Sequence, residues 1–274
     1  MTALGEPDDP ADPLLELCAR TLRDIRRPAV IGGLAAAKLH GLWIPLRADL
    51  RVPETIIVAR GRPSRSVTTT QRRDVWGRRR ALSTREIEFV DDLPVTAAAR
   101  TWVDLAATLS LPDLVAVGDS LLRLRPVTGD ADLVDAIRRG RGQRGIVRAR
   151  EAYPMLDARS RSRPESHLRC ALLVDGLPKP EVNIAIYDEH GGWLAEPDLV
   201  YEAARLTIEY NGEEHAKVRR MRNDISRTLD VDFGGWRQIT FGPKQVFEQP
   251  HQAAAYVRFL LDERDPGWRR RSAE

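Results

Sequence analysis

Between Trp193 and Gly212 the chain writes two short β-like runs, Asp198 to Tyr201 and Leu206 to Tyr210, around a turn-like Glu202-Ala203-Ala204-Arg205. Each run carries one carboxylate, Asp198 or Glu209, among apolar neighbours. Burying an ionised carboxylate beside Leu, Val and Ile costs several kcal/mol unless a cation or hydrogen bonds compensate. A pair on adjacent strands therefore points to a shared divalent metal, Mg²⁺ or Mn²⁺. Neighbouring strands lie about 4.8 Å apart, so both side chains can reach one ion. Asn211 follows Glu209 by two residues and so shares its strand face.

The rest of the composition fits a soluble protein large enough for one large or two smaller domains: 274 residues, 42% of them hydrophobic. No apolar run approaches the roughly 20 residues of a membrane helix, and the acidic, Pro-rich start is unlike a leader, so a cytoplasmic location is expected. Cys18 and Cys170 sit in amphipathic helical runs without a partner Cys or His at ligand spacing. They read as core residues, against a zinc finger, a thiol site or a disulfide. The net charge is only +3, yet just four of the 43 basic side chains are Lys: Lys38, Lys179, Lys217 and Lys244. Guanidinium clusters such as Arg78-Arg79-Arg80, Arg219 to Arg222 and Arg269 to Arg271 suit phosphate, although a GC-rich coding bias gives the same enrichment.

In chain order, residues 1–13 read as a disordered tail and Leu14 to Ile25 as an amphipathic helix. A second helix is expected over Pro28 to Leu42, closing at Gly41. Strand candidates follow at 55–59, 66–70 and 86–90, then helices at 111–124 and 130–139. The glycine-rich break at 140–145 suggests domains of 14–145 and 146–264, with 265–274 a basic tail. Beyond it the pattern gives a helix from Ile146 to Leu156, another from Ser162 to Asp175, a strand from Val182 to Tyr187 with a hairpin turn at 188–192, and a helix from Lys217 to Leu229. A strand from Trp236 to Phe241 and a helix from Gln252 to Leu261 close the domain, with Trp193 and Trp236 expected to pack rather than stack on bases. Arg100 and Asp104, one turn apart, read as an intrahelical ion pair.

Two family resemblances rest on particular residues. Ala35-Ala36-Ala37-Lys38-Leu39-His40-Gly41-Leu42 and the later Val95-Thr96 to Arg100-Thr101 to Asp104-Leu105-Ala106 resemble segments of AbiEi-type antitoxin proteins. The helix at 14–25 is too short for the winged-helix unit with which such relatives commonly begin. Downstream, Glu165, Asp198 and Glu209-Tyr210-Asn211, then His215, Arg219, Arg222, Asp224 and Arg227, then Gly235-Trp236 resemble PD-(D/E)XK nucleases of the branch related to very-short-patch repair endonucleases. The resemblances imply an α+β N-terminal module followed by an α/β restriction-endonuclease-like domain, a central mixed sheet flanked by helices.

The nuclease resemblance further implies metal-assisted phosphodiester hydrolysis, with Asp198 and Glu209 as ligands of Mg²⁺ and Asn211 beside the ion where the general motif has Lys. It makes His215 a general acid or base, or a group binding a phosphate-bound water, and sets Arg219, Arg222 and Arg227 along a phosphate groove. Two readings stand for Glu165: a metal-facing acid of the first helix, by resemblance, or the Glu of a Ser162 capping box, reaching back to the Ser amide. The expected partner is DNA, with room for a homodimer and for a toxin or defence-system partner on the N-terminal module. A metal-dependent DNA endonuclease of repair or defence leads. The alternatives are a non-catalytic DNA-binding or antitoxin-like regulator retaining a nuclease fold, and an interaction protein whose acids are structural.

Overall fold

A computed structural model of the chain describes residues 12–25, 28–45, 54–58, 70–72, 75–80, 82–126, 129–212 and 234–271. Its contacts divide the chain into two units, Met1–Leu109 with Thr128–Ala149, and Ser110–Val127 with Arg150–Glu274. Both combine helices with mixed sheets. Among the described residues no helix is long and apolar enough to cross a membrane.

The first unit begins with α1 (Pro13–Arg23), whose N-cap Asp12 accepts from the Leu14 amide at 2.9 Å. The stretch expected to be one helix from Pro28 to Leu42 is instead a strand, β1 (Ala29–Gly32), and a short helix, α2 (Gly33–Leu39). The β-branched pair Val30 and Ile31 is buried in a sheet, which outweighs the helix propensity of the alanines that follow. Gly33, at φ 60, makes the turn between the two. The strands β2 (Glu54–Val58), β3 (Thr70–Arg72), β4 (Val75–Arg80), β5 (Ile87–Val90) and β6 (Leu93–Thr96) join β1 in the order β3-β4-β2-β1-β6-β5. Of the expected strand at 66–70, residues 66–69 lie outside the described residues, as does the tail up to residue 11.

The antitoxin-like segments do structural work here. Leu39-His40-Gly41-Leu42 is a Schellman stop: Leu42 N–H donates to Ala37 O and Gly41 N–H to Lys38 O, both at 2.9 Å, with Gly41 at φ 75. His40 Nε2 lies 2.8 Å from Thr96 O, tying that stop to the end of β6. Thr101 Oγ1 donates back to Thr96 O at 2.9 Å at the start of α3 (Ala98–Leu105). The expected ion pair is present: Arg100 Nε donates to Asp104 Oδ2 at 3.0 Å while Nη1 donates to Glu86 Oε1. Burial raises the Glu86 carboxyl, but hydrogen bonds from Ser83 and Arg100 outweigh it and hold the group below the usual Glu range. α5 (Gly129–Arg139) completes the helices that lie wholly in this unit.

The second unit takes α4 (Leu111–Leu124) out of the N-terminal stretch, so 14–145 is not one contact unit. Leu114, Val117 and Leu121 of α4 are buried, and a buried ion pair joins the helix to its unit. Asp119 and Arg169 are fully buried, and Arg169 Nη2 donates to Asp119 Oδ2 at 2.6 Å, joining α4 to α7 (Arg163–Val174). Arg169 also donates to Met155 O, and the Asp157 amide donates to Asp119 Oδ1 at 2.8 Å. Between them α6 (Ile146–Ala152) gives way to a 3-10 turn at Tyr153–Met155. α7 ends like α2, with Leu177 N–H donating to Leu172 O and Gly176 at φ 79. Burial pushes the Cys18 thiol up to about 11 and the Cys170 thiol up to about 12, as inert core cysteines require.

The sheet of this unit has the order β12-β11-β10-β7, from β7 (Glu181–Val182), β10 (Leu199–Tyr201), β11 (Leu206–Tyr210) and β12 (Arg237–Phe241). Its first three strands are antiparallel, while β11 and β12 are parallel, so the chain crosses over between Tyr210 and Arg237. One face packs Leu199, Leu206 and Ile208 against Leu168 and Leu172 of α7 and Val257 and Leu261 of α8 (Pro250–Arg264). The other face puts Val200 against Ile186 and Leu194 of the hairpin β8 (Ile186–Tyr187) and β9 (Trp193–Ala195). On that hairpin Trp193 is exposed rather than packed, while Trp236 is partly buried in the cluster. The basic tail is helical up to Arg271: in α9 (Trp268–Arg271) Trp268 is buried in the core and Arg269 pairs with Asp262.

Candidate carboxylate site

The register of the second sheet decides where the candidate residues fall. Leu199 pairs with Ile208 and also with Val182. One step further, Asp198 lies opposite Glu209 on one side and opposite Asn183 on the other, and Glu209 pairs with Thr240 of β12. Asn183, Asp198, Glu209 and Thr240 thus form a row across four strands. Directly opposite residues share a face, with Cβ atoms about 4.5–5.5 Å apart. By alternation from Val200, the face of Asp198 and Glu209 is the one that the β8–β9 hairpin covers.

Asp198 stands at the mouth of β10, just after the buried Pro197. The Tyr210 amide donates to Asp198 Oδ2 at 2.8 Å, and the Asn183 amide donates to Asp198 O at 3.0 Å. The carboxylate therefore does the work of a ladder carbonyl for the last residue of β11. Asp198 and Glu209 are both half-buried, and Asn211 is exposed. The Asn211 amide donates to Phe241 O at 2.9 Å, extending the β11–β12 ladder by one residue.

Glu165, 5% exposed at the start of α7, has two partners on Oε2: the Arg161 amide at 2.9 Å and Asn183 Nδ2 at 2.8 Å. Ser162 caps the helix by accepting from the Glu165 amide at 3.4 Å, but the carboxylate reaches the Arg161 amide and not that of Ser162, so the capping box is half made. Asn183 is the residue that sequence reasoning missed. It sits at φ 49 inside the expected strand 182–187 and splits it into β7 and β8. An Asn among Val182, Ile184 and Ile186 was the available signal, because Asn tolerates left-handed backbone where β-branched neighbours do not.

The donor set can be tested against a divalent ion. Among the described residues no group of three His, Cys, Asp or Glu side chains is arranged to hold a metal. Mg²⁺, however, keeps several waters and is commonly held by one or two carboxylates together with substrate phosphate. Asp198 and Glu209 supply that minimum. Thr207, two residues before Glu209 on the same strand face, has a buried hydroxyl with no hydrogen-bond partner among the described residues, a polar spot beside the pair. His215, Arg219, Arg222 and Arg227, with Asp224, lie outside the described residues.

A second polar cluster lies along α7. Asp113 Oδ1 takes Arg163 Nη2 at 3.0 Å and lies 3.1 Å from His167 Nε2, while Ser110 Oγ donates to Oδ2 at 2.7 Å. Burial raises the Asp113 carboxyl, yet the bonds from His167, Ser110 and Arg163 prevail and hold it far below the usual Asp range. Phe247 closes the cluster, its ring 5.1 Å from that of His167.

Comparison with known proteins supports the N-terminal resemblance. Residues 29–155 match the family described as the AbiEi antitoxin C-terminal domain. Two curated proteins of Mycobacterium tuberculosis, from strains CDC 1551 and H37Rv, are each 34% identical over 168 residues. Both are described as uncharacterized, and the match spans 61% of this chain and 61% of each relative's length. No solved structure matches the chain.

Proposed function

We propose that this protein acts in a toxin–antitoxin or related defence system, as a DNA-binding, antitoxin-like regulator whose second unit keeps a nuclease-type frame. The match of residues 29–155 to the antitoxin domain carries this reading. The Arg-rich composition supports DNA as the partner, because guanidinium groups bind phosphate and release counterions. An electrophoretic mobility assay with the full chain tests it. Binding should persist in EDTA, fall with salt, and be unchanged in Asp198→Ala; no salt-dependent binding would sink the reading.

A second reading, a metal-dependent endonuclease with a restriction-endonuclease-like fold, is favoured by one observation: Asp198 and Glu209 face each other across adjacent strands. Like charges so placed destabilise a sheet unless a cation lies near them. The strand order, three antiparallel strands and a fourth parallel to the third, also suits that fold. Asp198 and Glu209 would hold Mg²⁺ or Mn²⁺, which when bound polarises phosphate and lowers the pKa of water. Asp198 is oriented for this by the Tyr210 amide, and Glu165 is held near the row through Asn183. Asn211, in the usual Lys position, would offer a hydrogen bond without charge, and His215 would carry or bind a proton at the phosphate. The same DNA, incubated with Mg²⁺ or Mn²⁺, separates the readings: cleavage that Asp198→Ala and Glu209→Ala abolish supports the nuclease.

A further inference from the structure

Between α4, α7 and the turn before α8 lies a cavity that neither the family match nor the row of acids uses. It holds about 500 Å³, within the roughly 300–1,000 Å³ of small-molecule sites, and every residue lining it belongs to the second unit. Leu111 of α4, Ala171 and Val174 of α7, Val246 of the turn Lys244–Glu248 and Pro250 give it apolar walls. Val174 and Phe247 are exposed where they line it, so it opens to solvent. The turn is π-helical, a rare backbone form that recurs at functional sites. It buries Val246 and sets the Phe247 ring over the polar end of the cavity, 5.1 Å from the His167 ring and 5.5 Å from Arg163 Cζ.

The charges at that end are unevenly matched. Asp113 is the one carboxylate among the described lining residues, and Arg163, His167 and Ser110 already occupy it. Arg163 has spent less. A guanidinium carries several N–H donors. Arg163 gives Nη2 to Asp113, while its Nε is buried without a hydrogen-bond partner among the described residues, which costs free energy until an acceptor arrives. With His167 protonated, the two cations outweigh the carboxylate they share, and the cluster is complete only with a further anion. A cation with donors to spare at the end of an apolar cavity recognises a carboxylate on an apolar body, whereas a bare inorganic anion gains nothing from the walls. We propose that this cavity binds a small monocarboxylate with an apolar body, its charge on Arg163 and its body between α4, α7 and the turn at 244–248. The site shares no residue with the row of Asp198 and Glu209 and stands whichever reading of the function holds.

Calorimetry of the full chain with 2-naphthoate tests this, with 2-naphthamide as the neutral counterpart and inorganic phosphate as charge without an apolar body. The wild type should bind 2-naphthoate with half-saturation below about 1 mM, 2-naphthamide about tenfold more weakly, and phosphate not measurably at that concentration. Arg163→Gln should bind the two naphthalene probes alike, losing about tenfold for the carboxylate only. Ala171→Leu fills the cavity from a partly exposed helix position without touching a charge. It should weaken both probes about tenfold while its melting midpoint stays within a few degrees of the wild type, because Leu is a good helix former. No saturable binding of 2-naphthoate by the wild type would overturn the proposal, as would equal affinity for the amide. Unchanged affinity in Ala171→Leu would put the probe elsewhere and overturn it too. Should Arg163→Gln fail to fold, the wild-type comparison of carboxylate with amide still decides the charge, and Ala171→Leu the place.

Discussion

Two acidic positions in the second unit use charge in opposite ways. Asp119 is fully buried and meets a guanidinium, Arg169, with further bonds from the chain around residue 157. Asp198 is half-buried and meets another carboxylate across the strand, Glu209, with a backbone amide on one of its oxygens. The first arrangement is complete within the protein, because its charges sum to zero where they are buried. The second sets two carboxylates opposite each other on adjacent strands, and like charges so placed repel. Opposite charges hold the molecule together at the first position; at the second, the proposed cation is what would offset the repulsion.

Breaking the first arrangement should cost most. Asp119→Ala leaves Arg169 buried without its carboxylate, and urea unfolding should show a loss of about 3–5 kcal/mol. A loss below 1 kcal/mol would mean that α4 is held by packing rather than by this pair. Next comes the Arg100 cluster of the first unit, where Arg100→Ala removes a guanidinium shared by Glu86 and Asp104 and leaves them with Ser83 and Arg80, so stability should fall by about 1–3 kcal/mol in the same assay.

Acid should separate the two kinds of site further. The Asp113 carboxyl is depressed in the folded state, so its stabilisation is present above the ordinary value of 3.8 and is lost as pH falls toward the folded value. Asp113→Asn should therefore lose about 1–2 kcal/mol at neutral pH, allowing for solvent screening, and show a shallower loss of stability than the wild type between pH 5 and 2. Parallel acid profiles for the two proteins would contradict this. The smallest effect is expected at the facing acids. Asp198→Ala removes the acceptor of the Tyr210 amide and relieves repulsion from the facing Glu209, so its stability in EDTA should stay within about 1 kcal/mol of the wild type. A Mn²⁺-dependent rise in the melting midpoint, if the wild type has one, should vanish in that variant.

Much of the architecture was legible because it depends on local chemistry. The helix over 111–124, the hairpin turn at 188–192 and the runs at 198–201 and 206–210 follow from periodicity and turn residues, and all are present, the first run with its strand starting one residue later at Leu199. The Arg100–Asp104 pair followed from one-turn spacing. What failed was decided at long range. The helix expected from Pro28 became a strand because β2 and β6 lie beside Val30 and Ile31, a fact that no window around them contains. α4 left its neighbours in sequence for a partner fifty residues away. At the site, opposed runs put Asp198 opposite Glu209, but the contacts of Asn183 needed the register of three strands and the start of a helix together.

That fifty-residue separation between Asp119 and Arg169 also sets an order of events on the ribosome. At about 5–20 residues per second, Asp119 is made roughly 3–10 s before its guanidinium partner exists. During that interval Asp119 has no guanidinium partner to be buried against. The chain around residue 155, where the antitoxin-like match ends, must still wait for α7 before it can close. A stop in translation between those two points would release a chain that has both halves of its first sheet and an acid with nowhere to be buried.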